Sequence, residues 1–241
     1  MTYKSEIARL KTFTGSDDFK PSVILILAAL VPAAHKYFMW LGTHSSSGNI
    51  LGIRSDVAVM FAGLFILFGV MPALIIRYLF HEGLREYGIT AGNWRDGAMT
   101  VLILFPLIAL LLLYPSSFNP EMRMAFPYDK SAGNSLHAFA RFESLRGIFF
   151  YPAWEFFFWG FLLFGLRRSV GDNLAICIQT IPSCMWHIGG PGGELFASIA
   201  GGILFGMMAL RTKSILWPFI LHFLIGVTTD FFVVISSVRI G

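Results

Sequence analysis

YPAWEFFFWGFLLFGLRR, residues 151–168, decides the class of this chain. Apart from Glu155, no residue from 151 to 166 carries a charge, and half of them are aromatic. A helix that crosses a bilayer needs about 20 mostly apolar residues. This stretch supplies most of one. Working outward from it, similar apolar segments lie at roughly 21–42, 57–80, 98–117, 146–166, 172–189, 194–210 and 214–238. The expected fold is all-α, a polytopic transmembrane helix bundle with about 7–8 spans. The segment at 172–189 is the most polar, since it holds Asn173, Gln179 and His187. Prolines inside the segments (Pro32, Pro72, Pro106, Pro152, Pro182 and Pro218) predict kinks, which neighbouring helices can tolerate.

Composition agrees. Charged residues are 13% of the 241 residues, about half of the roughly 25% usual in soluble domains. The mean hydropathy is +0.68. So apolar a chain is neither disordered nor collagen-like. It has too few basic residues to build a face for nucleic acid, so its surroundings are the lipid bilayer. The net charge of +4 bears on orientation instead. About 11 Lys and Arg flank the spans on the side of the N-terminal tail, against about 6 on the other. That bias predicts a cytoplasmic N-terminus, with the plasma (inner) membrane of a bacterium as the expected location. Residues 1–20 read as a cytoplasmic tail and the apolar run after them as a first membrane helix, not a cleaved signal. Residues 21–117 form the N-terminal helices with a linker at 81–97, and residues 118–241 the core domain. Cys177 and Cys184 are seven apart on one segment, about 10 Å along a helix. They are too distant for a disulfide and read as small buried apolar residues.

Ionisable groups inside the apolar segments carry the functional signal. A carboxylate at mid-membrane costs about 2.5–3.5 kcal/mol on insertion scales, so it needs a partner or a purpose. Glu155, His187, Glu194 and His222 stand out. Glu155 is flanked by aromatic and aliphatic residues. His187, in IPSCMWHIGG, closes its segment before a Gly-Pro-Gly-Gly turn, and His222, in WPFILHFLIGV, lies about a third of the way along the last segment. One Glu and two His on separate segments suit two chemistries. One is activation of water by carboxylate and imidazole beside an oxyanion pocket. The other is a divalent metal, for which His₂Glu is a known catalytic set. Other membrane-protease signatures are missing: HEGLR at 81–85 lacks the second His of HExxH, and neither GxSG nor GxGD occurs. His35 and Lys36, late in the first segment, are expected to snorkel or face a polar cavity. Ser198, Gly202 and Gly206, spaced by four, form a small-residue stripe for close packing within the chain.

Three stretches carry a resemblance. WEFFFWGFLLFG, then HIGGPGGE, then ALRTKSILWPFILHF, all within roughly 140–235, resemble the CPBP family of type II CAAX prenyl endopeptidases and bacteriocin-processing or immunity (Abi) proteins. LREYGITAGNWRDGA, at 84–98, is similar to the linker often found before that domain. The resemblance implies a helical membrane fold and a glutamate-dependent endopeptidase that cleaves a membrane-proximal peptide or prenylated-protein tail. No cofactor and no metal are implied, and the oligomeric state is left open. Carried over, Glu155 with His187 activates water and His222 is an oxyanion donor. Against the family's EExxxR, FxxxH and HxxxN, Trp154 stands for the first Glu, Trp159 for the Arg, Ser183 for the Phe and Gly226 for the Asn. These departures keep open the alternative of a non-catalytic scaffold or immunity-like protein on the same fold.

Overall fold

A backbone in hydrocarbon must satisfy its polar groups internally, and this chain does so with helices. The computed structural model describes residues 12, 14–43 and 48–238. Most of the 1–20 tail and Arg239, one of the residues weighed for orientation, lie outside them. Helix α1 is Phe19–Thr43. A two-stranded antiparallel hairpin follows, β1 (Asn49–Ile50) paired with β2 (Ile53–Arg54). Its turn residues Leu51 and Gly52 both have positive φ, as a tight hairpin of right-twisted strands requires. Then come α2 (Ser55–Leu79) and α3 (Trp94–Ser116). The short α4 (Pro120–Ala125) precedes α5 (Leu136–Val170). The chain ends with α6 (Asp172–Trp186), α7 (Gly192–Thr212) and α8 (Leu216–Val238).

Helix starts follow local chemistry. The side chains of Asn93, Asn119 and Ser135 accept backbone N–H bonds from Asp96, Glu121 and Ala138, capping α3, α4 and α5. Three helices widen to i→i+5 turns at five places among the described residues, and the turns at 65–70, 109–113 and 146–150 each end within two residues of a proline (Pro72, Pro115, Pro152). Proline has no N–H and crowds the carbonyl four residues back. The wider turn keeps the helix continuous past it.

Helix α5 is the axis of the bundle. Of its most apolar window 72% is buried, against 33% or less in every other membrane-length helix. Its 35 residues span about 50 Å at 1.5 Å per residue, well beyond a hydrocarbon core of about 30 Å. Trp154, Phe157, Phe158, Trp159 and Phe161 on it are almost wholly buried, with Phe68 of α2 stacked on Trp154.

Six helices among the described residues are long and apolar enough to cross a membrane: α1, α2, α3, α5, α7 and α8. The all-α polytopic bundle is therefore as expected. The segment at 172–189 is α6, whose 15 residues make it shorter than those six. It runs antiparallel along α7, where a Cβ on Gly202 would crowd Thr180 and one on Gly206 would crowd Ile176. The small-residue stripe thus serves packing within the chain. Gln179 donates to the Gly202 carbonyl at 2.8 Å across that contact. Both cysteines are free, and Cys177 is exposed, contrary to the buried position expected of it. A second correction concerns Arg146. The first residue of the expected 146–166 segment, it lies buried ten residues into α5, because the helix begins at Leu136.

The 81–97 linker is fastened to the α7–α8 turn. Ile215 donates its N–H to the Gly88 carbonyl (3.0 Å), and Asn93 donates to Thr212 (2.8 Å). Gly88 sits at φ 83°, and any Cβ there would meet Phe164 and Ile215. These bonds fix where α8 starts, and hence the height of His222.

Candidate active site

Glu155 sits at the centre of α5 with no exposed surface. Its Oε1 is 2.6 Å from Nδ1 of His222 on α8. Its Oε2 has no partner among the described residues. The His222 ring is bordered by aromatic rings: Tyr151 at 4.9 Å, Phe205 at 5.3 Å, Trp154 at 6.3 Å and Trp159 at 6.5 Å between centroids. Glu155 is wholly buried at this bond, while the His222 side chain keeps 22% of its surface exposed.

His187 belongs to a different pair. It caps the C-terminus of α6, and its Nδ1 donates to the Ser183 carbonyl at 2.8 Å. A neutral ring so held presents Nε2 as its free lone pair. That atom lies 3.7 Å from Oε1 of Glu194, in the first turn of α7. The Gly-Pro-Gly-Gly turn therefore does specific work: it brings the start of α7 back under the end of α6.

Trp154 separates the pairs. Its indole stands nearly perpendicular to both imidazoles, 5.6 Å from His187 and 6.3 Å from His222. Its Nε1–H is buried without an acceptor. The indole fills the place between the two histidines that a carboxylate at this position would enter. Trp159, which stands for the family Arg, donates to the Gly202 carbonyl at 3.3 Å. Gly226, which stands for the family Asn, has Tyr151 Oη where its own Cβ would be.

A cavity of about 470 Å³ opens on the outer pair, lined by His35, Lys36, Met60, Tyr128, His187 and Glu194 among others. The expected polar surroundings of His35 and Lys36 are this cavity. His35 is held by Met60 and Trp186, and Lys36 donates to the Ile188 carbonyl at 3.2 Å while lying over the Trp186 ring. Burial, reinforced by the negative charge of Glu194, pushes the Tyr128 hydroxyl well above its ordinary value, against an opposing pull from Arg146. Tyr128 is therefore a phenol, able to donate into the cavity. Glu155 borders a separate, largely apolar groove between α2, α5 and α8, lined by Phe65, Ala73, Ile215 and Phe219.

The geometry thus brings Glu155 to His222 and sets His187 beside Glu194, where the sequence had paired Glu155 with His187. Among the described residues no group of three or more His, Cys, Asp or Glu side chains is arranged to hold a metal ion, so the candidates do not form a His₂Glu ligand set.

Residues 138–228 match the family described as type II CAAX prenyl endopeptidase Rce1-like. The match agrees with the resemblance in the motifs, and the Rce1-like segment contains Glu155, His187, Glu194 and His222. At family level the chain is similar to a CAAX-type intramembrane protease, and its six apolar helices make it an integral, multi-pass membrane protein. No curated protein and no solved structure matches the chain.

Sequence reasoning missed two parts of this region. Glu194 had no role until the turn was seen to fold it onto His187. Arg146 and Glu143 on α5 and Asp230 on α8, two residues past the matched segment, form a buried cluster of ionisable groups. A signal for it existed: Asp230 is an isolated carboxylate in an apolar helix, the same kind of feature that singled out Glu155.

Proposed function

We propose that this protein is an intramembrane endopeptidase that uses glutamate- and histidine-activated water to cleave a membrane-proximal peptide or prenylated-protein tail. The observation that carries the reading is the His187–Glu194 pair on the wall of the 470 Å³ cavity, inside the Rce1-like segment. At 3.7 Å the two groups are close enough for one water to touch both. His187 Nε2 takes the proton as that water attacks the scissile carbonyl. His222, held at Nδ1 by Glu155, carries its proton on Nε2; it lies across the Trp154 indole from His187, so its support of the oxyanion or the leaving amine requires that indole to swing aside. Glu155, His187 and His222 are thus the three candidates, with Glu194 added as the partner of His187. The excess of Lys and Arg on the side of the N-terminal tail supports a cytoplasmic N-terminus.

A second reading, a non-catalytic scaffold or immunity-like protein on the same fold, is favoured by Trp154, whose indole occupies the space between the histidines. One experiment separates the two: cleavage of a prenylated peptide by the full chain in liposomes. On the first reading His187→Ala and Glu194→Gln each lower the rate by about 10²-fold or more while the protein still accumulates. Unchanged cleavage in both variants, or a biological phenotype that survives Glu155→Gln intact, supports the scaffold instead.

A further inference from the structure

Two bonds tie α5 to α8, and only one involves the candidate catalytic groups. The first is Glu155–His222. The second is Arg146–Asp230, with Nη1 2.6 Å from Oδ2, and the Glu143 carboxylate follows at 3.8 Å from the same nitrogen. Arg146 precedes Glu155 by nine positions and Asp230 follows His222 by eight, about 13 and 12 Å along antiparallel helices. The two bonds are therefore matching rungs of one ladder.

Between the rungs the helices are in close contact. A Cβ on Gly147 would come within 2.8 Å of the Phe223 ring, and one on Gly226 would overlap Tyr151 Oη. The Tyr151 ring connects the rungs physically: the Arg146 guanidinium lies 5.0 Å from its centroid and the His222 ring 4.9 Å. Arg146 is also boxed by Phe126, Tyr128, Phe142 and Phe150, each within 6.0 Å. Burying an ion pair is a poor way to stabilise a fold, because desolvation offsets most of the attraction. Its best-attested use is to fix register.

We propose that Arg146 is a positioning residue: its bond to Asp230 sets the register of α8 against α5, and so holds the His222 ring on Glu155. The proposal extends the endopeptidase reading but is tested apart from it. A slip of one helical position would carry His222 about 1.5 Å along the axis and turn it about 100° away from Glu155.

The readout is the ¹⁵N NMR signal of the His222 ring in the full chain in nanodiscs, assigned through His222→Ala and shown to depend on the bond by its response to Glu155→Gln. Three variants are compared: Arg146→Lys, which keeps a cation for Asp230; Arg146→Met; and the double variant Arg146→Met/Asp230→Met, made together with Glu143→Gln so that none of the three buried charges is left unpaired. The expected result is wild-type His222 signals in Arg146→Lys, and displaced signals in the double variant together with a loss of cleavage of at least about tenfold, as ångström-scale misplacement produces. A folded double variant with wild-type His222 signals overturns the proposal. Wild-type protein that shows the Glu155-dependent signal but cleaves nothing defeats the endopeptidase reading and leaves the positioning role standing.

Discussion

The two carboxyl–imidazole pairs are chemically alike and physically opposite. Glu155–His222 is short, bordered by four aromatic rings and tied into the packing of α5 on α8. His187–Glu194 is longer, formed by a turn, and open to a cavity. The inner pair is bound to the stability of the bundle, because a buried polar group that loses its partner keeps its full desolvation penalty. The outer pair can be altered with little effect on the fold, because solvent replaces what is lost. Access to the cavity and contribution to stability are therefore divided between the two pairs.

The sharpest way to break this comparison is to remove one carboxyl or imidazole from each. Glu155→Ala strands the His222 imidazole among rings and is expected to lower stability by about 1–3 kcal/mol, with cleavage down by about 10²–10⁴-fold. His187→Ala is expected to lower cleavage as well, but to shift the unfolding midpoint far less, since its ring faces the cavity. Thermal unfolding in detergent, measured beside cleavage, checks both. Equal loss of stability in the two variants removes the distinction.

Much of this was legible beforehand, for a physical reason. Hydrocarbon forces helices, so apolar segments translate directly into a fold class. The cost of charge in lipid likewise makes Glu155, His187 and His222 conspicuous. What composition does not encode is direction around a helix. The apolar run gives Glu155 a depth but not a facing, and the partner proved to be His222. The first turns of α5 were hidden because His137, Arg141 and Glu143 precede the apolar run that opens at Arg146. Glu143 and Arg146 are the buried face of a helix that reaches beyond that run. The polar α6 looked like the weakest segment because a sequence window does not see that Gln179 bonds across to the Gly202 carbonyl of α7.

A smaller effect concerns the position that stands for the family Asn. Restoring the polar residue by Gly226→Asn is expected to gain no activity and to lower stability by about 1–3 kcal/mol, as overpacking does. Tyr151 already fills that volume and is itself braced against His222 and Arg146. Gly226→Ala should show most of the same loss, because the overlap begins at Cβ. If Gly226→Asn instead raises the cleavage rate at unchanged stability, the inner region is looser than its packing implies. The contrast with the outer pair then weakens.

The smallest effect is expected where charge meets water. Lys20 at the start of α1 bridges Glu82 after α2 at 2.6 Å, and Tyr87 Oη donates to the same carboxylate. Burial pushes the Glu82 carboxyl up, but the Lys20 and Tyr87 bonds outweigh it and hold the group below its ordinary value. A lowered folded value means that the contribution is complete above the ordinary carboxyl range and fades as pH falls through the lowered value. Side chains that are 26% and 24% exposed are screened, so the pair is worth less than about 1 kcal/mol. Glu82→Gln should therefore lower the unfolding midpoint slightly near neutral pH, and the gap to wild type should close on acidification below about pH 4. A gap that persists undiminished in acid would mean that Glu82 acts through packing rather than charge, and the membrane edge would then resemble the inner pair.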